Sequence, residues 1–295
     1  MANIATGEFA AQVANAGGLG LIAAGSLDPM GLEKEIEIAK SVTDKPFGVN
    51  IMLMNPHCDA LVDVLIAKGV KIVTTGAGNP AKYIEKFKEN GIRVFPVVPS
   101  VALAKRMEGL GVDGIIVEGT EAGGHIGELT TMALVPQVIK EVKIPVIAAG
   151  GIASGAQMLA AFALGAIGVQ VGTVLLGTYE CPIHENYKQA ILKAKDTSTI
   201  VTGRIAGTPV RSIKNPMTKE YVKLEKEGKS MMELESFTLG SLRKAVKEGN
   251  VKEGSLMAGQ VAGMIEKLDT IENVFEKLMK DCKQQYQNIE EIVNG

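Results

Sequence analysis

The chain has 295 residues, room for one large α/β barrel or for two ordinary domains, and the single barrel is the expectation. Its 31 Lys and Arg against 33 Asp and Glu give a net charge of -2, so there is no global basic field to recruit nucleic acid. Cys58, Cys181 and Cys282 are far apart, with no CxxC spacing and no nearby histidine pattern, which predicts no metal site and a reducing, cytoplasmic compartment.

The opening MANIATGEFAAQ lacks the basic start and apolar core of a signal peptide. From there, short apolar runs alternate with amphipathic segments at a regular step, the signature of repeated βα units. Strands are expected at 19–23, 47–51, 71–75, 93–98, 114–117, 145–149 and 167–171. Helices are expected at 7–15, 31–41, 58–68, 81–90, 101–110, 131–141 and 154–164. Gly17, Gly69, Gly91, Gly111 and Gly165 stand just before the next strand, as a left-handed helix stop requires. The uncharged stretch 144–179 is long enough for a membrane span, but glycines and glutamines interrupt it at turn spacing, so it reads as strand, helix, strand.

A closed barrel of this kind needs eight parallel strands, and this chain opens on a helix. The expected fold is therefore an α/β TIM (β/α)8 barrel lacking its first strand, with a C-terminal helical cap, and Met1 reads as an internal methionine. After 171 the rhythm changes to a helix at 178–195, a Gly/Pro-punctuated loop at 203–216 and a charge-rich stretch at 219–254. The expected division is a barrel at 1–202, a cap at 203–268 and a final helix at 269–295. That helix carries Ile271, Val274, Leu278, Cys282, Tyr286, Ile289 and Val293 at steps of three and four, one apolar face to lay on the barrel.

Chemistry is expected at GIIVEGTEAGGHIG, residues 114–127. A β-branched strand ends at Glu118, and glycines leave His125 open on both sides, so a flat ligand can approach it closely. Catalytic groups of parallel α/β folds sit on such loops after strand carboxyl ends. Glycine turns after the last two strands, at Gly150-Gly151 and Gly172, suit a phosphate held by backbone N–H groups. Asn50 offers a donor and an acceptor for the edge of a heterocycle. Residues 76–81, GAGNPA, match a relaxed dinucleotide fingerprint, but no acidic residue closes the following strand. His57 and His184 stand beside Pro56 and Pro182 and read as surface turn residues, and Arg204, Arg211, Lys214, Lys219 and Arg243 read as a positive rim on the cap.

Over nearly the whole chain, ANAGGLGLI, KPFGVNIML, TTGAGNP, PVVPSVALAKRM, EGTEAGGHIG, PVIAAGGIA, VQVGT, VRSIKN and GSLMAGQVAG together resemble the FMN-dependent enoyl-acyl-carrier-protein reductase II family, TIM-barrel relatives of the nitronate monooxygenases. The resemblance implies FMN contacts from Met1, Ala2, Asn50, Thr75, Gly76, Glu118, Ala122, Gly123, Gly124, Gly150, Gly151, Gln170, Gly172, Thr173 and Met257, with His125 facing the flavin as the catalytic residue. It implies NADH or NADPH as donor, acyl carrier protein bearing enoyl-phosphopantetheine as partner, and a homodimer. It also places Met1-Ala2 in a turn preceded in the family by a strand and two glycines. The alternatives are nitronate oxidation and a shortened barrel that holds FMN poorly and has no activity. Glu118-Gly119 where the monooxygenases typically have Gln-Gly, Ile126 where they commonly have Arg, and VRSIKN favour the reductase.

Overall fold

A computed structural model describes residues 3–295; Met1 and Ala2, expected at the cofactor, lie outside the described residues. Seven parallel strands form one curled sheet: β1 (Leu21–Ala23), β2 (Gly48–Met52), β3 (Ile72–Gly76), β4 (Arg93–Val98), β5 (Ile115–Glu118), β7 (Val146–Ala149) and β8 (Gly168–Gln170). They pair in that order, so β1 and β8 are the two ends of the sheet among the described residues. Between them run α2 (Pro29–Val42), α3 (Cys58–Ala67), α4 (Ala81–Glu89), α5 (Val101–Gly109), α6 (Thr131–Glu141) and α7 (Gly155–Ala163), preceded by α1 (Gly7–Asn15). The sequence dictates these stops and starts locally. Thr6, Asp28, Ser100 and Ser154 accept a backbone N–H at the first turns of α1, α2, α5 and α7. The five glycines read as helix stops have φ between 64° and 100°.

The period of two in each strand sorts the side chains. Val49, Ile51, Val73, Val94, Ile115, Val117, Val146 and Ala148 lie in the core shared with Leu32, Leu61, Leu65, Phe87 and Leu134 of the helices. Burial of each such side chain contributes about 1.5–3 kcal/mol. Asn50, Thr74, Phe95, Ile116, Glu118, Ala149 and Gln170 alternate with them and so point to the concave inner face. Register aligns Asn50 with Thr74, and Glu118 with Ala149 and Gln170, at the carboxyl ends of the strands.

The second half differs from the sequence reading. The helix expected over 178–195 is a 3-10 turn (Thr173–Gly177) and α8 (Glu185–Leu192), because Pro182 has no N–H to give and His184 caps α8 by accepting Asn186 N–H. The loop expected over 203–216 holds a strand, β10 (Val210–Ile213), which pairs antiparallel with β9 (Thr199–Thr202) and β6 (Gly124–His125). Arg211 and Ser212 disguised it as a polar loop. The charge-rich stretch forms α9 (Pro216–Lys226), α10 (Met231–Thr238) and α11 (Ser241–Glu248), of which α11 sends Ala245 and Val246 into a second core with Tyr187, Ile191 and Leu256. The last helix, α12 (Ile271–Asn294), buries Ile271, Leu278 and Cys282, while Tyr286, Ile289 and Val293 are exposed. No helix among the described residues is long and apolar enough to cross a membrane.

Candidate active site

The turn after β5 is built by close backbone contacts. A Cβ on Gly119 would stand 2.1 Å from Thr131 Oγ1, and one on Gly123 would stand 2.6 Å from the carbonyl carbon of Ala258. Only hydrogen fits at either place. The Glu121 carboxylate accepts the Thr131 N–H at 2.9 and 3.0 Å, setting a negative charge against the positive amino end of α6. On the far side, Gln260 N–H donates to Glu121 O at 2.9 Å and Gly259 N–H donates to Thr173 Oγ1 at 2.8 Å. Residues 254–260 thereby stitch the turn to the loop after β8. Their signal was present in the sequence as GSLMAGQ, but its role as a stitch was not readable there.

His125 ends the turn inside a strand and not in a free loop. It lies opposite Val210 of β10, Gly124 lies opposite Arg211, and Ile126 N–H donates to Pro209 O at 3.1 Å. The imidazole stays open to solvent, and partial burial against the turn lowers its pKa, so the ring is neutral at pH 7 and presents one donor and one acceptor. Met257 Sδ lies 3.6 Å from where a Gly124 Cβ would stand, and the buried Tyr187 O–H donates to Met257 O at 2.8 Å. Ala122 is buried beneath the turn.

Glu118 closes β5 on the inner face with no hydrogen-bond partner among the described residues, and burial pushes its pKa up to about 7. Because the folded value lies above the ordinary 4.5, stability from this group is full below about pH 4.5 and is lost as pH rises through about 7. Glu118→Gln abolishes that slope. Melting curves of the ligand-free wild type and variant, taken from pH 4 to 8, are expected to converge or cross in favour of the wild type on acidification; curves parallel over the whole range would contradict the buried carboxyl.

Asn50 Nδ2 donates to Thr74 Oγ1 at 2.8 Å, leaving the Asn50 carbonyl and one N–H for the inner face. Thr75 points the other way and is 1% exposed, so it offers a ligand on the inner face only its main chain; Thr74 is the threonine on Asn50's side. Gln170 stands at the end of β8 on the inner face. Gly150 and Gly151 take φ of 91° and 73°, which glycine alone adopts without strain. Cβ atoms on Gly76 and Gly172 would meet nothing within 4 Å, so both glycines border open space. Among the residues assigned to the positive rim, Arg204, Lys214, Lys219 and Arg243 are exposed, while Arg211 is 6% exposed and lies under the turn. No cluster of metal-ligating side chains occurs among the described residues.

This arrangement gathers an open glycine cradle, two amide side chains, a carboxyl titrating near neutrality and a neutral imidazole at one end of the sheet. The model of the family described as nitronate monooxygenase matches residues 1–61 and 56–281. A solved structure of FabK from Thermotoga maritima superposes with a TM-score of 0.96 and 46% identity, covering 99% of this chain and 93% of that one. A probable nitronate monooxygenase of Staphylococcus saprophyticus is 33% identical over 94% of this chain and 92% of its own length. A carboxyl-CoA dehydrogenase of Rhodococcus jostii, acting on a hydroxy-methyl-oxo-octahydroindene thioester, is 30% identical over 95% of this chain and 90% of its own length.

Proposed function

Since the chain belongs to the nitronate monooxygenase family of FMN-dependent oxidoreductases, we propose that it binds FMN and reduces the 2,3 double bond of an enoyl thioester carried on acyl carrier protein, with NADH or NADPH as donor. The observation that carries the reading is the pairing of His125 with the VRSIKN strand: main-chain pairing with Val210 holds His125, its ring open to solvent, on the turn that follows Glu118, and Ile126, where the monooxygenases commonly have Arg, is buried. The likeness to a CoA-thioester dehydrogenase supports a thioester substrate.

The residues fit FMN. Gly172 borders open space and Gly151 takes a glycine-only backbone, as close approach of a phosphate demands, and the Thr173 hydroxyl, accepting from Gly259, keeps its own hydrogen to donate. Asn50 and Gln170 would read the edge of the ring system from the inner face, with Gly76 giving it clearance. FMN, when bound, supplies a two-electron carrier that no side chain here provides. His125 would then donate a hydrogen bond to the thioester oxygen, where charge develops as the double bond is reduced, and would relay a solvent proton to the α-carbon, taking one at its acceptor nitrogen as it gives one from its N–H. Exposed Lys214, Lys219 and Arg243, with Arg204 drawn into a pair with Glu128, would steer an acidic carrier protein, and a homodimer completes the proposal.

The test combines flavin absorbance of the purified protein with two assays. NAD(P)H oxidation that depends on an enoyl thioester is expected, faster with carrier protein than with coenzyme A at low salt and less so as salt rises. Oxygen uptake with an alkyl nitronate and no thioester turnover would establish the monooxygenase instead; absence of flavin would defeat both.

A further inference from the structure

We propose that Arg211 is a positioning residue that braces the turn carrying His125; the role rests on the reading of His125 as the donor that faces the substrate. A guanidinium 6% exposed is expensive to bury unless its N–H groups find partners, and no carboxylate lies within ion-pair distance among the described residues. Its partners are instead a carbonyl and a hydroxyl. Arg211 Nε donates to Thr120 O at 3.0 Å, and one terminal nitrogen donates to Thr199 Oγ1 at 3.2 Å.

The same residue pairs through its main chain with Gly124. Arg211 therefore grips the turn at both ends, by side chain at Thr120 and by backbone at Gly124, and His125 is the next residue. Strand alternation turns the His125 ring to the face opposite the guanidinium, so Arg211 supports the ring without approaching the substrate side. The Thr120 hydroxyl is buried with no partner beside this brace, so the carbonyl that Arg211 holds is the polar tie of that residue to the cap. Two charges act on the guanidinium from nearby, Glu121, whose carboxylate is held on Thr131, and Arg204, paired with Glu128, while the Glu118 carboxyl stands at the strand end. Lysine keeps the charge but has one nitrogen and cannot reproduce two contacts made from a planar fork.

Histidine titration followed by NMR tests this in Arg211→Met, Arg211→Lys and Thr199→Val, with His57 and His184 as internal references. In Arg211→Met the His125 pKa is expected to return toward its ordinary value, while the two reference histidines stay put. Enoyl-thioester kcat should fall by about 10- to 100-fold, the range for misplacing a catalytic group by about 1 Å, with NAD(P)H reduction of the flavin changed by less than about threefold. Arg211→Lys should resemble Arg211→Met, and Thr199→Val, which leaves the arginine in place, should move His125 in the same direction by less. Wild-type titration of His125 in the lysine variant, or in both the methionine and valine variants, overturns the proposal. If Arg211→Met does not fold, Thr199→Val and Arg211→Lys decide it. Titration needs no turnover, so a protein that fails to reduce enoyl thioesters rejects the proposed reaction and leaves this test standing.

Discussion

His125→Ala is expected to lower kcat for enoyl-thioester reduction by about 100-fold, the effect of losing one donor of about 3 kcal/mol aimed at a developing oxyanion, and to leave FMN content unchanged. The selectivity follows from how the residue is held. Its place is set by main-chain pairing with Val210 and by the neighbouring Ile126 to Pro209 bond, neither of which needs the imidazole. Truncation should therefore remove the donor and keep the turn. The lowered pKa makes the ring a neutral donor through the physiological range, so the wild-type rate should hold from neutral to mildly alkaline pH. Stopped-flow measurement of the two half-reactions checks this: flavin reduction by NAD(P)H at the wild-type rate with slow reoxidation by the enoyl thioester is the expected result. Equal reoxidation rates in variant and wild type would remove His125 from the mechanism.

Gly172→Leu is expected to weaken FMN binding by more than about 100-fold while the ligand-free protein melts as the wild type does. A Cβ at this position meets nothing within 4 Å and its φ of -134° lies outside the left-handed region, so the side chain meets no packing clash and fills the space a phosphate would enter. Gly151→Leu should release FMN as well, but by a different route. With φ at 73° and Glu121 Cβ 3.1 Å from the added Cβ, the substitution strains the backbone, at about 1–2 kcal/mol, and presses on the residue that holds the amino end of α6. Flavin titration and melting temperature together separate the two variants. Full flavin occupancy in Gly172→Leu would reject the cradle, whatever Gly151→Leu does. The sequence alone treated these glycines as equivalent, and the packing around them makes one a clean probe and the other a structural hazard.

What the sequence by itself determined was whatever depends on near neighbours along the chain. Strand after strand was legible because short apolar runs alternate with amphipathic segments at a regular step, and helix ends were legible because a glycine stop acts on the turn just before it. The glycine turns, Asn50, Glu118 and His125 could be read for the same reason: each sits at the end of an element whose boundaries are local. Tertiary structure alone decided the rest. VRSI became a strand because β6, more than eighty positions earlier in the chain, and the nearby β9 offered it ladders on both sides, and no local propensity of Arg211 or Ser212 announces that. Thr74 faces the site and Thr75 the helices only once β2 and β3 fix their register. A guanidinium that reads as a solvated charge in the sequence is instead buried beneath the turn, since only the folded chain brings Thr120 O and Thr199 Oγ1 within reach of its fork and so gives two of its five N–H groups partners there.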